Sequence, residues 1–160
     1  MGAACGGAPG ARLRAVVIRS PHDTVRFEAP ASARPCGRPA PGGVVLHGAT
    51  GGNGVLLWLR SPDSLAGDTW PLVQRADTVT RRGAIVALRF MIGDVAHGVA
   101  LDSGAVSLTR GRGEGGRSSA LTATIRASGL EATTAGRVAV EASFESVPLA
   151  RDTVSCLARP

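Results

Sequence analysis

The sequence predicts an all-β domain: a two-sheet antiparallel β-sandwich of about eight or nine strands, jelly-roll or immunoglobulin-like, with no substantial helix. Three observations carry this. Apolar and polar residues alternate with a period of two in stretch after stretch, which is the signature of half-buried strands. Breaks rich in Gly, Pro, Ser and Asp recur about every 8 to 12 residues, the spacing expected of short antiparallel strands. No long stretch keeps a 3.6-residue period, and none holds 18 consecutive apolar residues, so no transmembrane helix is expected. With 160 residues, 22 glycines and 10 prolines, the chain is long enough for one core and punctuated enough to turn often.

Residues 1–11 read as a flexible leader or tether, and 12–160 as a single domain. Residues 13–19 and 24–28 are short candidate strands. Residues 29–43, rich in Pro and Ala, read as a Pro-rich arm, with Arg34 and Arg38 flanking Cys36. Residues 44–48 and 55–60 are apolar runs joined by Ala49-Thr50-Gly51-Gly52-Asn53-Gly54. Residues 61–70 read as a loop, Pro71 belongs at an edge, and 72–75 as a short strand.

Residues 82–110 form the clearest unit. Val86, Leu88, Phe90 and Ile92 alternate with Ile85, Ala87, Arg89 and Met91. A two-residue turn at Gly93-Asp94 pairs Ile92 with Val95, Phe90 with His97 and Leu88 with Val99. A second turn at Ser103-Gly104 would pair Leu101 with Val106 and Val99 with Leu108, keeping all of them on one face. His97 is the polar exception on that face. It reads as a satisfied, partly buried histidine, with Arg110 as its cross-strand neighbour. After a glycine-rich loop at 111–119, residues 121–128 and 138–145 alternate as two more half-buried strands. Residues 152–157 close the domain.

The net charge is +6, and all 18 basic residues are arginine. Arginine grips phosphate and carboxylate with a planar fork. The arginines are spread through the chain, however, and aromatics make up 3% with no Tyr, which disfavours base stacking. Arg110, Arg112 and Arg117 lie in an arginine-glycine segment that reads as a solvated hairpin loop. Together with Arg34 and Arg38 they are the candidate partner-binding residues.

The cysteines carry the compartment. Cys36 and Cys156 bracket the domain, as a disulfide tying its first and last segments would, and a disulfide implies an oxidising compartment. Two unrelated buried thiols are the alternative. Cys5 is left over, in Met1-Gly2-Ala3-Ala4-Cys5-Gly6-Gly7. That stretch resembles the cleavage region of bacterial lipoproteins, where small residues precede a cysteine that becomes acylated, although Gly2 stands where a Leu is expected. The chain as a whole resembles exported bacterial lipoprotein-like β-sandwich proteins of unknown function. The resemblance implies a lipid anchor at Cys5 and an extracytoplasmic location in the periplasm or cell envelope. A free cysteine in a disordered tail is the other reading of Cys5.

Catalytic motifs are weak. Residues 44–55 resemble locally the dinucleotide-binding turn of quinone-oxidoreductase-type dehydrogenases. Everything downstream is strand-like, so a glycine-rich hairpin loop is expected and no cofactor. His22, His47 and His97 lack metal-ligand spacing, so no metal is expected. Ser103, His97 and Asp102 can be assembled into a triad, but Asp102-Ser103-Gly104 is sufficiently explained as a turn. The expected function is therefore a non-enzymatic binding or accessory subunit at the cell envelope, with a protein partner in a larger membrane assembly. The alternatives are an arginine-dependent nucleic-acid-binding β-barrel and a small hydrolase or oxidoreductase.

Overall fold

The computed structural model describes residues 10–20, 23–37, 42–61, 65, 69–112, 119–134 and 136–156. The expectations for Cys5, His22, Arg38 and Arg117 fall outside them. Nine strands follow one another: β1 (Arg12–Ser20), β2 (Asp23–Pro35), β3 (Gly43–Thr50), β4 (Asn53–Arg60), β5 (Thr69–Pro71), β6 (Gly83–Ile92), β7 (Val95–Arg112), β8 (Ser119–Glu131) and β9 (Arg137–Pro148).

The fold is all-β, but it is a closed barrel and not the expected two-sheet sandwich. Eight antiparallel strands run in the order β7-β6-β4-β3-β2-β1-β9-β8, and β8 pairs back onto β7 to close the ring. Alternation cannot tell the two architectures apart, because both put every second residue inside. The pair joining the first strand to the last decides it: β1 and β9 match from Arg12↔Glu145 to Ile18↔Ala139, while β7 and β8 match from Val99↔Glu131 to Arg112↔Ser119. Closure leaves no free sheet edge along that seam.

An eight-stranded ring is just wide enough inside for side chains to fill. Leu13 and Val17 of β1, Leu57 and Leu59 of β4, Phe90 of β6, Ile125 of β8 and Phe144 of β9 point inward and are fully buried. Each such side chain contributes about 1.5 to 3 kcal/mol when removed from water. The outward positions of β1, β2, β8 and β9 carry Arg14, Arg26, Glu28, Thr124, Arg126 and Glu141, all exposed. That is the reverse of a lipid-facing barrel, which is apolar outside. No helix among the described residues is long and apolar enough to cross a membrane.

The first turn of the central unit is where the sequence puts it. β6 and β7 pair as Ile92↔Val95, Phe90↔His97 and Leu88↔Val99. The second is not a turn. β7 runs on through Ser103-Gly104 for 18 residues, and its register against β8 shifts between Leu101 and Ser103. A bulge and a two-residue turn both switch which parity faces inward. His97, Val99 and Leu101 are therefore buried before the bulge, and Val106 and Leu108 after it. Gly104 takes φ +128°, and a Cβ there would lie 2.2 Å from the Arg126 carbonyl oxygen. Arg110 consequently faces Leu121 of β8 and is not a neighbour of His97.

Beyond Ala87↔Ala100 the strands β6 and β7 part. β5 fills the gap: Trp70 pairs with Val106, and Leu72 bridges to Ala84. Trp70 is fully buried, with the Arg82 guanidinium 3.9 Å from its ring centre. Residues 72–75, expected as a strand, contribute only that bridge.

The Pro-rich arm expected at 29–43 is, up to Pro35, the second half of β2. Ala29, Ala31 and Ala33 point inward, while Pro30, Ser32 and Arg34 point outward. Pro30 is tolerated where β2 changes partner: up to Pro30 it pairs with β1, and from Ala31 with β3. The chain end runs parallel along the freed edge, through the bridges Ala33↔Leu149 and Cys36↔Val154.

Candidate functional site

The outer wall over β2, β3, β4 and β6 is built differently from the rest. Two cross-strand rows lie side by side on it. One is Arg34↔Val45↔Trp58↔Ile85 and the next is Ser32↔His47↔Leu56↔Ala87. β4 reads Val55-Leu56-Leu57-Trp58-Leu59, apolar on both faces. Val55, Leu57 and Leu59 fill the barrel, so Leu56 and Trp58 must lie outside it.

The chain end covers part of this face. Cys36 and Cys156, the pair singled out in the sequence, stand with their sulfurs 2.07 Å and their Cα atoms 5.5 Å apart. The bond lays Val154 and Cys156 against Trp58 and Ile85, where they form a second apolar cluster outside the barrel. Backbone bonds fasten the same segment: Val154 N–H donates to the Pro35 carbonyl (3.0 Å), and Gly37 N–H to the Val154 carbonyl (2.8 Å).

What remains uncovered is a solvent-open groove of about 640 Å³. Both rows form its floor, residues 154–156 one wall, and Arg75 reaches it from the segment after β5. That segment is held from below. Arg60, buried, donates to the carbonyls of Asp77 (2.6 Å) and Thr80. The Asp77 carboxylate accepts from the N–H groups of Val79 (2.9 Å) and Thr80 (2.8 Å) and from the Thr80 hydroxyl (2.6 Å). Those bonds, the Thr80 hydroxyl's above all, hold its carboxyl below the usual range.

The groove is incompletely satisfied. Trp58 is 8% exposed and its indole Nε1 has no hydrogen-bond partner among the described residues. Leu56 is 38% exposed. Arg34 faces Asp152 at 3.4 Å, both largely exposed, and such a pair contributes little. Among the described residues Arg75 makes no ion pair.

A second polar cluster sits inside the barrel, near the end where β7 begins and β8 and β1 finish. His97 Nδ1 lies 2.6 Å from Glu131 Oε1. Arg19 donates to the same carboxylate through Nε (2.8 Å) and Nη2 (3.2 Å), and also to Asp23. The His97 ring stacks on Phe90 with centroids 5.3 Å apart. Glu131 is 1% exposed, and Arg19, with His97 second, keeps its carboxyl below the ordinary range against the opposing effect of burial. This is the partner that a buried His97 requires.

Of the candidate partner-binding arginines, Arg34 lies in the groove. Arg110 and Arg112 end β7, the strand next to β6, and neither lines the groove. His97 and Asp102 do not converge either: His97 points inward to Glu131, and Asp102 outward to Arg137, 2.6 Å away. The glycine-rich run 48–54 makes the β3–β4 hairpin, with Gly51 and Gly52 at φ +53° and +84° as its two-residue turn. Among the described residues no three His, Cys, Asp or Glu side chains are placed to hold a metal ion.

Sequence reasoning missed Leu56, Trp58, Arg75, Arg19 and Glu131. A run apolar at both parities signals a strand covered on both faces, and residues 55–59 are such a run. Extending the inward parity of Leu121, Ala123 and Ile125 reaches Glu131. Arg75 carries no such signal. No protein-family model, curated protein or solved structure matches the chain.

Proposed function

We propose that this protein is a non-enzymatic, extracytoplasmic binding or accessory subunit of the bacterial cell envelope, carrying a lipid on Cys5 and meeting a protein partner of a larger membrane assembly. The observation that carries the reading is the Cys36–Cys156 bond. A bond closing 120 residues of chain belongs to an oxidising compartment. Here it also shapes a surface, because it fastens the chain end over the outer wall and leaves an open groove beside it. The interior, filled by side chains, leaves binding to the outside.

Thiol trapping tests it. Cells quenched in acid and alkylated before lysis should yield Cys36 and Cys156 linked in one peptide pair and unalkylated. Two alkylated thiols would overturn the exported reading. The tether has its own check: labelled palmitate should enter the wild-type chain and not Cys5→Ser.

A further inference from the structure

We infer that the groove over β2, β3, β4 and β6 binds a short extended peptide segment of a protein partner, one that places a carboxylate beside aliphatic side chains. The inference rests on the proposed binding role and names what that role recognises.

Three features select this ligand. The floor is apolar at its centre, where Val45, Leu56, Trp58 and Ile85 stand on three neighbouring strands. The cations Arg34 and Arg75 line the same groove, and neither is committed to a buried partner. Arginine takes a carboxylate through two parallel N–H donors. Finally, the groove crosses four strands, about 14 Å at the inter-strand spacing. That length takes about four extended residues. A small amphiphile is held by a pocket that encloses most of its surface. A groove open to solvent suits a chain that enters and leaves.

The pairing follows from the rows. Aliphatic side chains settle over Leu56 and beside Val45, while acidic side chains reach Arg34 and Arg75. Arg34 exchanges its exposed Asp152 contact for the incoming carboxylate at small cost.

Fluorescence anisotropy of the purified, oxidised protein tests it, with three labelled decapeptides: alternating Glu and Leu, alternating Lys and Leu, and alternating Glu and Ser. The Glu–Leu peptide should bind at least ten-fold more tightly than the other two. Arg75→Glu and Leu56→Asp should each weaken it at least ten-fold with the melting temperature unchanged. Arg110→Glu, outside the groove, should leave it unaltered. Unlabelled decanoate should fail to displace the peptide. Equal binding of all three peptides, no binding, indifference to Leu56→Asp or displacement by decanoate would each overturn the inference. Free thiols in cells would sink the exported reading and leave this titration untouched; a silent titration would do the reverse.

Discussion

The barrel holds two clusters of similar composition and opposite condition. Inside, Arg19, Glu131, His97 and Phe90 satisfy one another: the carboxylate receives two N–H donors from Arg19 and faces the imidazole, and the imidazole stacks on the ring. Outside, Arg34, Arg75, His47 and Trp58 share a groove, yet the indole N–H has no acceptor among the described residues and Leu56 is partly in solvent. Burial explains the contrast. A charge taken inside must be paired by the chain itself, since a lone one costs several kcal/mol. On the wall water keeps the cost of an unpaired guanidinium low, and a partner can still replace it. The inner cluster is therefore read as part of the scaffold and the outer one as the recognition surface.

The clasp tests the outer cluster most severely. If the chain end merely decorates the wall, replacing Cys36 and Cys156 together by Ser should cost little. The expected loss is about 4 to 5 kcal/mol in the chain-entropy description of so long a loop, read as a lower denaturation midpoint. The Trp58–Ile85 patch should become exposed in the same variant and bind a hydrophobic dye.

The inner cluster comes next. Glu131→Ala leaves Arg19 and His97 facing each other without the carboxylate, and should cost about 3 kcal/mol. The pH dependence has a definite sign. Arg19 foremost holds the Glu131 carboxyl below its ordinary value. Its contribution is thus complete above the ordinary carboxylate range and is lost as pH falls through the depressed folded value. Wild-type stability should decline on acidification, and Glu131→Gln should flatten that decline. An unchanged acid limb in Glu131→Gln would mean that the carboxylate is not what holds this end together.

Much of the barrel was legible in the sequence: most of the strands, the Gly93-Asp94 turn and the inward set Leu88, Phe90, Val99 follow from alternation, whereas the second half of β2 reads as an arm and β5 as a loop. Closure was not legible, because it needs the first strand, β1, to pair with the last, β9, from Arg12↔Glu145 to Ile18↔Ala139, a long-range choice that no local pattern encodes. The bulge at Leu101/Ser103 was misread because a change of inward parity has two physical causes, and a Ser-Gly pair suits both. The groove was half legible. Arg34 was in view, but Leu56 and Trp58 were absorbed into an apolar run, and Arg75 is placed by the loop that Arg60 clamps. Gly104→Ala separates the two explanations of the parity change. A turn glycine at a hairpin tip has room for a methyl group. Here the added Cβ meets the Arg126 carbonyl oxygen at 2.2 Å, with φ at +128°. The expected cost is about 2 kcal/mol, seen as a lower melting temperature together with faster hydrogen exchange along β7 and β8.

The smallest expected effect discriminates best between scaffold and surface. Leu56 stands on the same strand as Val55 and Leu57, which are 1% and 0% exposed. Leu57→Asp would bury an unpaired carboxylate and should unfold the barrel. Leu56→Asp, one residue away, meets water and should shift stability by no more than about 0.5 kcal/mol. Arg75→Glu should be equally silent, because Arg75 makes no ion pair among the described residues. Denaturant midpoints of the three variants would measure this directly. A large loss for Leu56→Asp would mean that the outer row packs as a second core, and the distinction between scaffold and recognition surface would fail at β4.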